Sequence, residues 1–184
     1  MRRAINGSLY VVVGAIAGAA SALGAIDSFG SYNVAKDSPW QAWNLALGGR
    51  AHPYALAHFL LSGRLPPVTG QMREFASQRS NDGNVLTADC RYVLTTEGGV
   101  PRWWSLAASS GKGQRSVEGF LSSDTAVGDS NGGFTIALSR GPASGNWVQT
   151  PASGAFTLIY TVADPATVSK RRSLPTLTIT RTGC

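Results

Sequence analysis

The chain has 184 residues, 43% of them hydrophobic and only 14% charged, with a formal net charge of +6. That length suits one domain with a short extra segment, and the low charged share excludes a disordered chain or a Glu/Lys-rich coiled coil. The basic residues are scattered and Lys170-Arg171-Arg172 is their longest run, so the basic stripe that nucleic-acid binding needs is missing and no nucleic-acid partner is expected. A surface facing anionic lipid or polysaccharide fits the charge.

Met1-Arg2-Arg3 precedes an uncharged stretch from Ala4 to Ile26, ended by Asp27. About 20 helical residues at 1.5 Å each cross a ~30 Å hydrocarbon core. The paired Arg ahead of the stretch predicts an N-in orientation, with the rest of the chain on the outer side of a bacterial inner membrane, in the periplasm. A cleaved signal peptide stays open beside this, because Ala20-Ser21-Ala22 matches a small-x-small cleavage site. Both readings export the remainder of the chain. Residues 1–26 are therefore an anchor or signal segment, the polar 27–38 stretch a linker, and 39–184 a β-sandwich domain. Export to an oxidising space permits one disulfide between the two cysteines, Cys90 and Cys184.

Trp40 and Trp43 open the domain as packing residues. Pro53 suits a first helical position and Gly63 a C-terminal cap, which predicts a short amphipathic helix with Leu56, Phe59, Leu60 and Gly63 on one face, stopped by Pro66-Pro67. Gln71 to Ala76 is helical or extended, and Asn81-Asp82-Gly83-Asn84 is a turn. Period-two alternation then takes over: Leu86 to Leu94, then Arg102 to Ala107, Val117 to Leu121, Phe134 to Leu138, Phe156 to Val162 and Leu177 to Arg181. Turns separate these runs at Glu97-Gly98-Gly99, at Ser109 to Gln114, at Asp129 to Gly133, at Gly141-Pro142 and at Asp164-Pro165. The pattern predicts a mainly β fold, an antiparallel β-sandwich with one or two short helices.

The order of short signatures is similar to one family. Asp82-Gly83-Asn84-x-Leu86 leads to Asp89-Cys90-x-Tyr92, Arg102-Trp103-Trp104-Ser105-Leu106, Asn131-Gly132-Gly133-Phe134, Gly145-Asn146-Trp147-Val148, Phe156-x-Leu158 and Leu174-Pro175 before Cys184. Over residues 40–184 this resembles the Domain of Unknown Function 1214 family in its short, single-pass bacterial form. The chain departs from it at Val148-Gln149, where members have Leu-Pro, and at Ile159-Tyr160-Thr161-Val162, where they often have Leu-Arg-Leu-Tyr. The resemblance implies a jelly-roll sandwich and a partner carrying a companion domain, Domain of Unknown Function 1254. It implies no settled activity.

No reaction is written in the motifs. His52 and His58 are the only two His and stand six apart, off a common helix face, so no metal site is predicted; His52 helps start the helix before Pro53. No Gly-x-Ser-x-Gly elbow is present, and Ser144 within Gly141 to Gly145 has the wrong spacing. Asp82, Glu97, Glu118, Asp124 and Asp129 mostly belong to turns. Asp89, on a strand and paired with Arg102, is the one candidate for a buried carboxylate. Gly111-Lys112-Gly113 lacks phosphate-loop context, so no cofactor is predicted. Aromatic platforms remain: Tyr54, Trp103, Trp104 and Trp147, which with Arg102 and Asn146 would stack on and hydrogen-bond a sugar or aromatic ligand. Adjacent Trp103 and Trp104 must face opposite sides of a strand, so one of them is core. The leading expectation is an exported, membrane-anchored envelope module that binds a partner protein or ligand; the alternative is a small hydrolase or an accessory subunit of one.

Overall fold

The computed structural model describes residues 2–43, 45–47, 50–68, 71–96, 101–110, 116–163 and 177–184. The Glu97–Gly99 turn, the Gly111–Gln114 loop, the Asp164-Pro165 break, the Lys170–Arg172 run and Leu174-Pro175 lie outside them. In chain order the elements are α1 (Arg2–Gly30), β1 (Ser31–Asn33), β2 (Gln41–Trp43), β3 (Ala46–Leu47), β4 (Arg50–Ala51), α2 (Pro53–Leu61), β5 (Arg73–Ser77), β6 (Arg91–Thr96), β7 (Trp104–Ser110), β8 (Ser116–Ser122), β9 (Phe134–Ser139), β10 (Trp147–Gln149), β11 (Phe156–Val162) and β12 (Leu177–Gly183).

The fold is mainly β. A six-stranded sheet runs β1-β2-β5-β11-β7-β8, a four-stranded sheet runs β10-β9-β6-β12, and β3 and β4 form a small ribbon. The inward residues predicted from period two fill the space between the two large sheets: Leu94, Ile136, Leu138 and Ile179 from one, Leu106 and Leu158 from the other, all fully buried. Ring pairs bridge the layers, with Trp104 stacked on Phe134 at 4.2 Å and Tyr92 edge-on to Phe156 at 6.0 Å. Trp40 reaches across as well, its indole N–H donating to the Leu177 carbonyl at 3.0 Å. At one edge β8 and β10 close so tightly that Gly119 has no room for a Cβ against the Gln149 backbone. At the other, Asn81 covers the free edge of β12: its N–H donates to the Ile179 carbonyl (3.0 Å) and its Oδ1 accepts from the Ile179 N–H (2.7 Å).

Antiparallel pairing of β6 with β12 sets Arg91 opposite Gly183. The flanking Cys90 and Cys184 therefore meet, and their sulfurs lie at bonding distance, 2.05 Å. Local turn chemistry behaves as the residue types dictate: Asp129 Oδ1 accepts from the Asn131 and Gly133 N–H groups, and Gly132 takes the positive φ.

The structure departs from the sequence reading in several places. Helix α1 continues to Gly30 and Ser31–Asn33 pairs with Gln41–Trp43, so part of the expected linker is regular structure; three residues leave too short a pattern to recognise. Strand β10 pairs with β9 in parallel, which breaks the all-antiparallel expectation. Parallel neighbours usually need a long crossover. Here Trp147 lies opposite Ala137, so the chain backtracks only about 7 Å from the end of β9. Regular strand begins at Trp104 rather than Arg102, and Ser109 and Ser110 belong to β7 rather than to a loop. Leu86, Ala88 and Cys90 keep the predicted alternation of burial, although the strand proper starts at Arg91.

Candidate functional site

Helix α2 forms where the signals place it. His52 is the N-cap, its Nδ1 accepting from the Ala55 N–H at 3.4 Å, and Pro53 follows at the first helical position. Gly63, at φ 69°, ends it: its N–H donates to the Leu60 carbonyl and that of Arg64 to Phe59. The buried stripe is Ala55, Phe59 and Ser62, not the predicted Leu56–Phe59–Leu60–Gly63 face, and Leu60 is 67% exposed. The reason is tertiary. Gly30 at the end of α1 fits so closely against Tyr54 and Ala55 that an added Cβ would lie 3.0 Å from the Tyr54 carbonyl carbon. That contact fixes which way the helix turns.

The rest of α2 and the residues that follow it meet the β2 and β5 side of the six-stranded sheet. Trp43 of β2 stacks on His58 at 4.3 Å and meets Phe59 edge-on. Arg64 sits 5.1 Å over the Phe59 ring and donates to Glu74 Oε1 at 2.6 Å. Burial pushes the Glu74 carboxyl above its ordinary range, and the Arg64 charge and hydrogen bond only partly oppose this. Covered on both sides, central strand β11 buries Thr157 and Ile159 as well as its core residues.

Where this cover stops, a cleft of about 290 Å³ opens between α2 and the sheet, lined by Ser31, Pro39, Gln41, Trp43, His58, Ala76, Gln78, Arg79 and Thr157. The indole N–H of Trp43 is buried and has no hydrogen-bond partner among the described residues. Arg79 donates to the Gly83 carbonyl at 2.8 Å and has no carboxylate partner among the described residues. The arrangement offers an aromatic wall, two amide side chains, two hydroxyls and an uncompensated positive charge. It suits a small polar ligand.

None of the residues selected as ligand-binding lines this cleft, whereas Trp43 and His58, read as packing and as a rejected metal ligand, do. Trp104 is the core member of the Trp pair. Trp103 is half-exposed, its indole N–H donating to Asp124 Oδ2 at 3.3 Å, and Arg102 is exposed beside it. Asn146 ties loops together: its Oδ1 accepts from the Val127 N–H, and its Nδ2 donates to the Val127 and Thr135 carbonyls. The Trp147 indole N–H donates to Ser139 on the neighbouring strand. Tyr54 faces out from α2, 5.7 Å from the Phe29 ring. Asp89 is not buried and does not meet Arg102; it is exposed and pairs with Arg140 at 2.9 Å. His52 caps a helix and His58 stacks, and among the described residues no three His, Cys, Asp or Glu gather into a metal-binding group. The cleft residues escape sequence reasoning because they come from five separate stretches between Ser31 and Thr157. The only local signal was the aromatic character of Trp43.

Of the solved structures it resembles, one is described as an uncharacterised protein. A protein of Burkholderia cenocepacia aligns with a TM-score of 0.50 at 20% identity, over 64% of this chain and 31% of that one. The VPA0106 protein of Vibrio parahaemolyticus aligns with a TM-score of 0.52 at 22% identity, over 70% of this chain and 34% of that one. The chain thus spans about a third of the length of these structures, and the likeness is one of fold. No curated protein matches the sequence. The model of the family described as "Protein of unknown function (DUF1214)" matches residues 72–167, more than half of the sequence, and the chain belongs to that family.

Proposed function

We propose that the protein is an exported cell-envelope module, held in the bacterial inner membrane by α1, whose periplasmic domain binds a small, negatively charged polar ligand such as an acidic sugar. The observation that carries the binding reading is the Trp43–His58 stack with the uncompensated Arg79 beside it in one cleft. Export is supported by the helix Ser8–Gly30, 23 residues long and apolar enough to cross a membrane, and by the Cys90–Cys184 disulfide, which persists in an oxidising space. The companion-domain protein is the macromolecular partner in this reading, and a pull-down from native membranes with mass spectrometry identifies it.

Calorimetric titration of the full chain with glucuronate and with glucose tests the cleft. Glucuronate should bind more tightly, and Arg79→Ala should erase the difference while Trp43→Ala weakens both. Equal binding of the two sugars by the unaltered protein, or no loss in either variant, would sink the reading. The hydrolase alternative draws on Ser31 and His58 lining the same cleft. Hydrolysis of a chromogenic ester that Ser31→Ala abolishes would favour it over simple binding.

A further inference from the structure

Helix α2 is Pro-Tyr-Ala-Leu-Ala-His-Phe-Leu-Leu, with no Asp, Glu, Lys or Arg at any position. A helix apolar on every side is ordinarily covered on every side. This one is fully buried only at Ala55, Phe59 and Ser62, with Leu56, Ala57 and His58 partly covered; Tyr54, Leu60 and Leu61 face outward, and Leu65 just beyond is 91% exposed. Contiguous apolar surface of this kind marks an interaction site.

The position of α1 supplies the occupant. Residues Ser8 to Gly24 of α1 stand clear of the domain, whereas Gly30 is buried against α2. The clear length, 17 residues, rises about 26 Å, close to the thickness of a hydrocarbon core of ~30 Å. The docked end of α1 then falls at the membrane–water boundary and brings α2 with it. Phe29 and Tyr54, with rings 5.7 Å apart, stand at that level, where aromatic side chains are enriched.

We propose that α2 and Leu65 form a foot that rests in the interfacial layer of the bilayer α1 crosses, with Leu60, Leu61 and Leu65 inserted among the lipids and Tyr54 at headgroup depth. The proposal rests on the anchor reading of α1. It assigns Tyr54 to lipid rather than to a soluble ligand, and it orients the cleft, whose His58 comes from the same helix, toward the membrane surface. An interfacial segment of this sort gains from the buried area of its apolar side chains.

The test uses the full chain with its disulfide intact, carrying one added thiol labelled with an environment-sensitive fluorophore, in phosphatidylethanolamine/phosphatidylglycerol vesicles that contain nitroxide lipids. Leu61→Cys and Leu65→Cys report the foot, Val12→Cys the middle of α1 and Ser130→Cys an exposed turn of the domain. The expected result is quenching at positions 61 and 65 by headgroup-level nitroxide, quenching at position 12 by deep acyl-chain nitroxide, and none at position 130. Quenching at 12 without quenching at 61 and 65 overturns the foot and leaves the anchor standing. No quenching at 12 overturns the anchor and the foot with it. A blue-shifted label at 61 that ignores lipid quenchers but responds to dilution of the protein assigns the face to a second copy of the chain and also overturns the proposal.

Discussion

The space between the two sheets and the layer outside the six-stranded sheet are built from similar residues and end differently. Between the sheets every large side chain finds cover: Trp104 meets Phe134, Tyr92 meets Phe156, and the Tyr92 hydroxyl accepts from the Thr87 N–H at 2.9 Å. Outside, α2 packs on β2 through Trp43 and leaves apolar side chains on its own back, a polar cleft at its side and a partly buried ion pair, Arg64–Glu74, next to it. The closed core is covered by its own chain, although the buried Tyr160 hydroxyl finds no hydrogen-bond partner among the described residues. The outer layer is satisfied only by something added, and that is where function is to be sought.

Four experiments press on this contrast. The largest effect should come from the stitch on the closed side. Cys90→Ser removes a link between residues 94 apart and should cost about 4–5 kcal/mol in the chain-entropy account. Urea unfolding with and without reductant checks it, since reduction of the unaltered protein should reproduce the loss. Trp104→Ala should cost about 3–5 kcal/mol by opening a cavity in the core, whereas Trp43→Ala, half-buried at the cleft, should cost roughly half as much. Equal losses in denaturant melts would erase the distinction between the two regions.

Arg64→Met should cost about 3 kcal/mol near neutral pH, because it strands the buried Glu74 carboxylate. The sign with pH comes from the raised Glu74 pKa. The folded protein holds that proton to higher pH than the unfolded chain, so this residue's contribution to stability grows as pH falls from above the folded pKa toward the ordinary value of 4.5. Removing Arg64 also removes the two influences that lower the pKa, which widens the window upward. Unfolding at pH 5 and pH 7.5 should therefore show a larger gain on acidification in the variant than in the unaltered protein; an equal gain contradicts the assignment. The smallest effect belongs to the open face. Leu61→Ser in detergent should change stability by no more than about 0.5 kcal/mol, and a loss above about 1 kcal/mol, beyond the range of surface substitutions, would mean that protein, not lipid, covers it.

The strands of the core were readable because burial on one face writes a period of two directly into Leu86–Leu94, Phe134–Leu138 and Leu177–Ile179. Helix α2 was readable at both ends, from Pro53 and Gly63, but its buried face was not, since Leu56, Phe59, Leu60 and Leu61 are all apolar and periodicity gives no preference among them. Strands β1 and β10 were missed at three residues each. Asn146 and the half-exposed Trp103 were marked for their chemistry, and they spend that chemistry on loop and side-chain hydrogen bonds.

By itself the sequence determined an apolar N-terminal helix, a mainly β domain, the family and the residues of its core, because each of these is written in near neighbours along the chain. With only two cysteines the sequence also named the disulfide pair, Cys90 and Cys184; how β6 is brought against β12 to join them, which face of α2 is covered and where a cleft opens were decided only by the tertiary structure. The pairing of β6 with β12, the seat of Gly30 on α2 and the gathering of Gln41, His58, Arg79 and Thr157 each depend on register and close approach between segments tens of residues apart, and no local pattern encodes those distances.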